Sequence, residues 1–206
     1  MESLPGYFMQ HATNVIRLRI EAHPWGLFGT GGDFGIRLPL RGYTLPSLRS
    51  LTLKNIQIGI ELIEFLMSHG DGLKELTMED CMCDEGWLRN STPAWDDLWL
   101  TLRADSSNIA NVSVVQTRTP PLAYMEGYEG FEPSPDSESF SKIRKMLEED
   151  EGLVLWRYVT VDTEYRMVFE VKERNISCFE EGEDQREYSI LLDVIREQIK
   201  NALVES

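Results

Sequence analysis

The spacing of apolar residues between Val15 and Val114 limits what this chain can fold into more than any other feature. Leu48, Leu51, Leu53 and Ile56 stand in the pattern L-x-x-L-x-L-x-x-I, and Leu73, Leu76, Met78 and Cys81 repeat it further on. Val15, Leu18 and Ile20 carry the pattern upstream, and Ile109, Val112 and Val114 carry it downstream. One such match is common by chance in a chain rich in Leu and Val, whereas four in order indicate a repeated unit. Side chains two residues apart in a strand face the same way. Each triplet therefore predicts a short strand whose second and third apolar residues enter the core together, while the first enters from the preceding turn. The fourth position, Ile56 or Cys81, fills a small buried slot after the strand, where free cysteine behaves as a small hydrophobe. On this reading Cys81 is a packing residue and Cys83 lies in the loop beyond it.

Parallel strands need crossovers long enough to return the chain to the same edge. Residues 58–69 supply one, with Ile58, Leu62, Phe65 and Leu66 on a helical stripe and Gly70 as the stop. Residues 92–103 supply another. Thr92 is placed to cap it, Pro93 to occupy the first helical position, and Asp96 and Asp97 to favour its N-terminal end. Trp95, Leu98, Trp99 and Leu102 form its apolar stripe. The fold class expected is α/β: a short irregular solenoid of parallel strands with helical crossovers, followed by a small α+β C-terminal part.

Outside the repeats, residues 22–44 read as a Gly-rich surface loop with Gly29, Gly31, Gly32 and Gly35. Phe34 stands where a dinucleotide fingerprint would need glycine, and no helical pattern follows. Residues 1–118 are expected to hold the repeats, 119–136 a linker and 137–206 a C-terminal cap or small domain. Within that last part, residues 137–150 read as a helix capped by Ser137, with Phe140, Ile143 and Leu147 on one face. Residues 153–161 and 165–171 read as a hairpin turning near Asp162, Thr163 and Glu164. Residues 184–204 read as a final helix with Tyr188, Leu191, Leu192, Ile195, Ile199 and Leu203 on one stripe.

The run LPSLRSLTLKNI, a short helix, and then LKELTMEDC together resemble the leucine-rich-repeat-like half of fungal F-box proteins. The stretch LWRYVTVDTEYRMVFEV, followed by an acidic terminal helix, is similar to their C-terminal ends, so the resemblance runs over residues 12–206. It implies a leucine-rich-repeat-like fold and a non-enzymatic protein-binding role, the substrate-recognition half of a ubiquitin-ligase adaptor. The F-box of that family is a helical bundle opening on a Leu-Pro motif. Here Leu4 and Pro5 are present, but the repeat pattern follows almost at once. Docking to the ligase scaffold adaptor is therefore expected only if an F-box is supplied.

Charge narrows the partners. The chain of 206 residues carries a formal net charge of −15, which argues against a phosphate-binding surface for nucleic acid. Residues 1–125 hold 10 basic and 14 acidic residues, and residues 126–206 hold 10 basic and 21 acidic, so the acidity is concentrated in the second part. No apolar run approaches the roughly 20 residues of a membrane-spanning helix, and the N-terminus shows no secretory pattern. Three cysteines do not suggest a disulfide framework, so a cytoplasmic or nuclear setting is expected.

Candidate chemistry is sparse. Cys81, Cys83 and His69 lack the ligand number of a closed zinc site, and Glu79, Asp80, Asp84 and Glu85 form a poor setting for a reactive thiolate. Ser68, His69 and Asp71 resemble the parts of a catalytic triad, but adjacent in sequence they read as a helix-terminating loop. No catalytic residue, metal or cofactor is assigned. The expected binding surface is the outward side of the strands, where one column holds Arg19, Thr52, Thr77 and Ser113. A second column holds Glu21, Lys54 and Glu79, and Arg17 begins the first strand. A protein partner is expected on this concave sheet or at the Gly-rich loop, where Trp25, Phe28, Phe34 and Tyr43 offer anchors. Two rival readings are a small hydrolase using Asp80, Asp84 and Glu85, and a structural protein that self-assembles through its solenoid ends.

Overall fold

The structure is a computed structural model, and the residues described are 9, 11–23, 38–42, 44–84, 94–105, 108–117, 138–162 and 167–205. The molecule is a mixed α/β protein built on parallel strands. Strands β1 (Arg17–Glu21), β2 (Ser50–Lys54), β4 (Glu75–Glu79) and β6 (Asn111–Val115) form one four-stranded sheet in the order β1-β2-β4-β6, with every neighbouring pair parallel. The register follows the apolar triplets without slippage. Leu18, Leu51, Leu76 and Val112 are aligned, and so are Ile20, Leu53, Met78 and Val114. A slip of one residue would turn each of these side chains to the other face, so their common packing against one core, with Leu18, Ile20 and Val114 half-buried and the rest buried, fixes the pairing.

Leu48, Leu51, Leu53, Leu73, Leu76 and Met78 are fully buried, each such side chain contributing roughly 1.5–3 kcal/mol of transfer free energy. The start of each strand is locked by a shared acceptor. The carbonyl of Ile16 takes the N–H groups of Arg49 and Ser50, that of Arg49 takes Lys74 and Glu75, and that of Lys74 takes Ala110 and Asn111. Side chains add to this device, since Arg49 Nη1 donates to the carbonyl of Gly72 (2.7 Å) and Lys74 Nζ to that of Asn108 (3.1 Å).

At the end of the strands the chain turns through a left-handed residue. Asn55 has φ 55° and Asp80 has φ 48°, a conformation that Asn and Asp tolerate better than other non-glycine residues. Both side chains are buried and both tie one rung to a neighbouring segment. Asn55 Nδ2 donates to the carbonyl of Ala22 (2.9 Å), and Asp80 Oδ1 accepts the N–H of Thr117 (2.9 Å).

The turn delivers the chain into a second sheet, in the order β3-β5-β7-β8. Strands β3 (Gln57–Ile58), β5 (Met82–Asp84) and β7 (Tyr158–Asp162) are parallel neighbours, and β8 (Met167–Glu170) closes the sheet antiparallel to β7. This second layer differs from the expected reading in three places. Cys83 lies inside β5 and is fully buried, not in a loop. Ile58 belongs to β3, so the first crossover helix, α1 (Ile60–Ser68), starts later and buries Leu62, Ile63, Phe65 and Leu66. The hairpin forms, but only from residue 158; residues 153–157 run on as irregular chain that pairs with Gln116 and Gln185 through side-chain amides.

The second crossover helix is α2 (Trp95–Asp105), and α3 (Glu138–Glu149) follows with Ile143 buried. The expected caps Thr92, Pro93 and Ser137 lie outside the described residues, as does the linker segment. The N–H of Ala94 is satisfied by Asp97 Oδ2 (3.0 Å). Two helices end the chain, α4 (Lys172–Glu181) and α5 (Glu183–Glu205), where the sequence reading had only the second. Gly182, at φ 71°, separates them and accepts the left-handed turn at no steric cost.

The two parts share one core. Trp95 and Trp99 of α2 stack at 5.5 Å between ring centroids, and Trp156 and Tyr188 pack on them at 5.0–5.4 Å. The indole N–H of Trp95 donates to the carbonyl of Arg157 (3.2 Å). Leu191 and Ile195 of α5 belong to the same apolar cluster as Leu51 and Leu76.

Candidate functional site

The outward side chains of the first sheet alternate with the buried ones, so the strand period alone determines which residues face out. The register brings Arg19, Thr52, Thr77 and Ser113 into one row across the four strands. Glu21, Lys54 and Glu79 fall in the next row with Val115 at its end, and Arg17, Ser50, Glu75 and Asn111 form the row before. Every residue assigned to the face from the sequence is therefore on it, in the columns expected.

The pairing among those charges differs from the expected column of alternating signs. Lys54 Nζ meets Glu21 at 3.1 Å. Glu79 takes Arg19 instead, two strands away, through two parallel bonds of 2.9 Å (Nη1 to Oε1) and 2.7 Å (Nη2 to Oε2). A guanidinium binds a carboxylate through its fork, and its long stem spans the two inter-strand steps of roughly 4.8 Å each. Nearest-neighbour reasoning misses this because it ignores side-chain length. The Glu79 bond strengthens the protonated form of Arg19, raising its pKa, and the Lys54 bond lowers that of Glu21. Arg17 enters none of these pairs and is exposed, as is Glu75 in the same row.

The face is thus polar and zwitterionic. Three cations (Arg17, Arg19, Lys54) and three carboxylates (Glu21, Glu75, Glu79) surround a half-buried row of hydroxyls. Val115, 38% exposed, is its one exposed apolar side chain on the strands. The loop anchors Trp25, Phe28, Phe34 and Tyr43 lie outside the described residues.

The other candidate groups occupy structural positions. Cys81 Sγ donates to the carbonyl of Leu53 (3.5 Å), and burial pushes its thiol up to about 12. Burial also raises Cys83, and raises Cys178 to about 11. His69 is buried against Phe65, with Nε2 2.7 Å from the carbonyl of Thr44 and Nδ1 2.9 Å from that of Phe65. Asp71 turns away from it to accept Asn108 Nδ2 (3.3 Å). Asp80 is buried in its turn and bonded to Thr117, Asp84 is half-buried in β5, and Glu85 lies outside the described residues. Among the described residues no cluster of His, Cys, Asp and Glu has the arrangement of a metal site, and no helix is long and apolar enough to cross a membrane.

Comparison with known proteins finds no matching family model, no similar curated protein and no similar solved structure.

Proposed function

We propose that this chain is a non-enzymatic protein-binding module, an irregular leucine-rich-repeat-like solenoid that presents the outer side of its first sheet to a protein partner. The observation that carries this reading is the in-register stacking of four parallel strands, which aligns Arg17, Arg19, Thr52, Lys54, Thr77 and Ser113 on one face. Stacked repeats use such surfaces for partner binding because each rung adds side chains at a fixed spacing. The resemblance to the substrate-recognition half of fungal F-box proteins adds the context: a cytoplasmic or nuclear receptor that joins a ubiquitin ligase when an F-box is supplied.

Affinity capture followed by mass spectrometry tests it. Wild type, a face variant (Arg17→Glu with Thr77→Arg) and a control on the far end of α5 (Arg196→Glu) are compared. The reading expects proteins captured by wild type and control but lost from the face variant; identical profiles from all three would contradict it. Fusion to an F-box is expected to confer co-precipitation of the ligase scaffold adaptor, and the chain alone is expected to lack it.

A further inference from the structure

Asp184, in the first turn of α5, sits where the two parts of the chain meet. It is 4% exposed. Oδ1 accepts the backbone N–H of Asp96 in the first turn of α2 (3.1 Å), and the Tyr158 hydroxyl of β7 reaches both carboxyl oxygens, at 3.2 and 3.0 Å. That hydroxyl in turn accepts the N–H of Trp95 (3.5 Å). One carboxyl therefore ties α5 to both the first turn of α2 and the second sheet.

The groups facing it come from every neighbouring element. They are the Asp96 carboxyl of α2, the Tyr158 hydroxyl of β7, the Cys83 thiol of β5, and Cys178 and Arg174 of α4. Arg174 is the sole cation in that set, and its guanidinium lies over the Tyr158 ring, 5.1 Å from the centroid. Asp184 forms no ion pair among the described residues. A buried carboxylate without a paired cation is costly, and two or three hydrogen bonds offset that cost only in part.

We propose that Asp184 is a proton-sensitive latch between the C-terminal helices and α2: protonated, it holds α5 against α2 and β7, and ionised, it loosens that docking. Burial pushes its carboxyl up to about 6, with the Tyr158 hydroxyl opposing the shift and the charge of Asp96 adding to it. The folded value lies above the ordinary 3.8 of the unfolded chain. The contribution is thus fully present below about pH 4 and is lost as pH rises through about 6.

Hydrogen exchange of the α5 amides, corrected for intrinsic rates, tests the latch between about pH 4 and about pH 7, a range that covers this window. Wild-type protection is expected to fall with rising pH, by up to about 100-fold over the whole window. Asp184→Asn, which keeps an acceptor and cannot ionise, is expected to show a flat profile at the level of the acid-side wild type. Tyr158→Phe removes the bond that favours the ionised form and is expected to move the transition to higher pH, which keeps the proposal testable if Asp184→Asn does not fold. Protection in wild type that is level or rises with pH would overturn the latch, as would an Asp184→Asn profile that follows wild type.

Discussion

Asn55 and Asp80 show how much a single position can hold. Each closes a strand with a backbone turn that most residues resist, and each spends its side chain on a neighbouring segment. Replacing Asn55 with Ala removes the bond to Ala22 and leaves a β-carbon in the left-handed region, so it is expected to lower stability by about 2–4 kcal/mol in denaturant unfolding. Asn55→Gly loses the side-chain bonding but keeps the left-handed turn without strain, so its loss is expected to be smaller, about 1–2 kcal/mol. The three cysteines make a second residue-scale case. Cys81, Cys83 and Cys178 are buried, and burial raises all three thiols. A thiol reagent at neutral pH is therefore expected to label none of them in the native protein and all three in denaturant; rapid labelling of any one in the native state would contradict the packing described.

Among the elements, what was legible in the sequence follows from how locally each is determined. The four strands of the first sheet were readable because the same apolar spacing recurs, and a repeated local pattern needs no knowledge of tertiary contacts. The stripes of α1, α2 and α3 were readable for the same reason, and so was that of α5 through Tyr188, Leu191, Leu192 and Ile195, whereas Ile199 and Leu203 beyond them are exposed. Strands β3 and β5 were not, because strands of two or three residues carry no period and their pairing depends on the left-handed turns before them. The segment forming α4 hid for a different cause: its apolar residues Ile176 and Phe179 pack against Ile143 and Leu155 in a small separate cluster, leaving too short a stripe to register. The rows of the outward face were legible in full, while the Arg19–Glu79 bridge was not, since it depends on side-chain reach. The aromatic group of Trp95, Trp99, Trp156 and Tyr188 joins α2 to α5 and to the chain entering β7. Trp156→Ala is expected to cost about 3–5 kcal/mol in an unfolding titration, the range for deleting a large buried aromatic. A cost near zero would show that this contact does not join the two parts.

Across the whole molecule, charge and topology divide the work. The net charge of −15 is concentrated in the C-terminal part, whereas the outward face of the first sheet balances three cations against three carboxylates. A balanced face gives little long-range steering, so partner choice there rests on short-range complementarity. Partner association is accordingly expected to depend only weakly on salt through this face, with steeper dependence pointing to the acidic helices instead. All of this rests on the parallel register of β1, β2, β4 and β6. Inter-strand nuclear Overhauser contacts in a uniformly labelled sample measure that register directly. The account predicts parallel-type contacts placing Thr52 beside both Arg19 and Thr77, and Thr77 beside Ser113. Antiparallel contacts, or none joining these four segments, would contradict it.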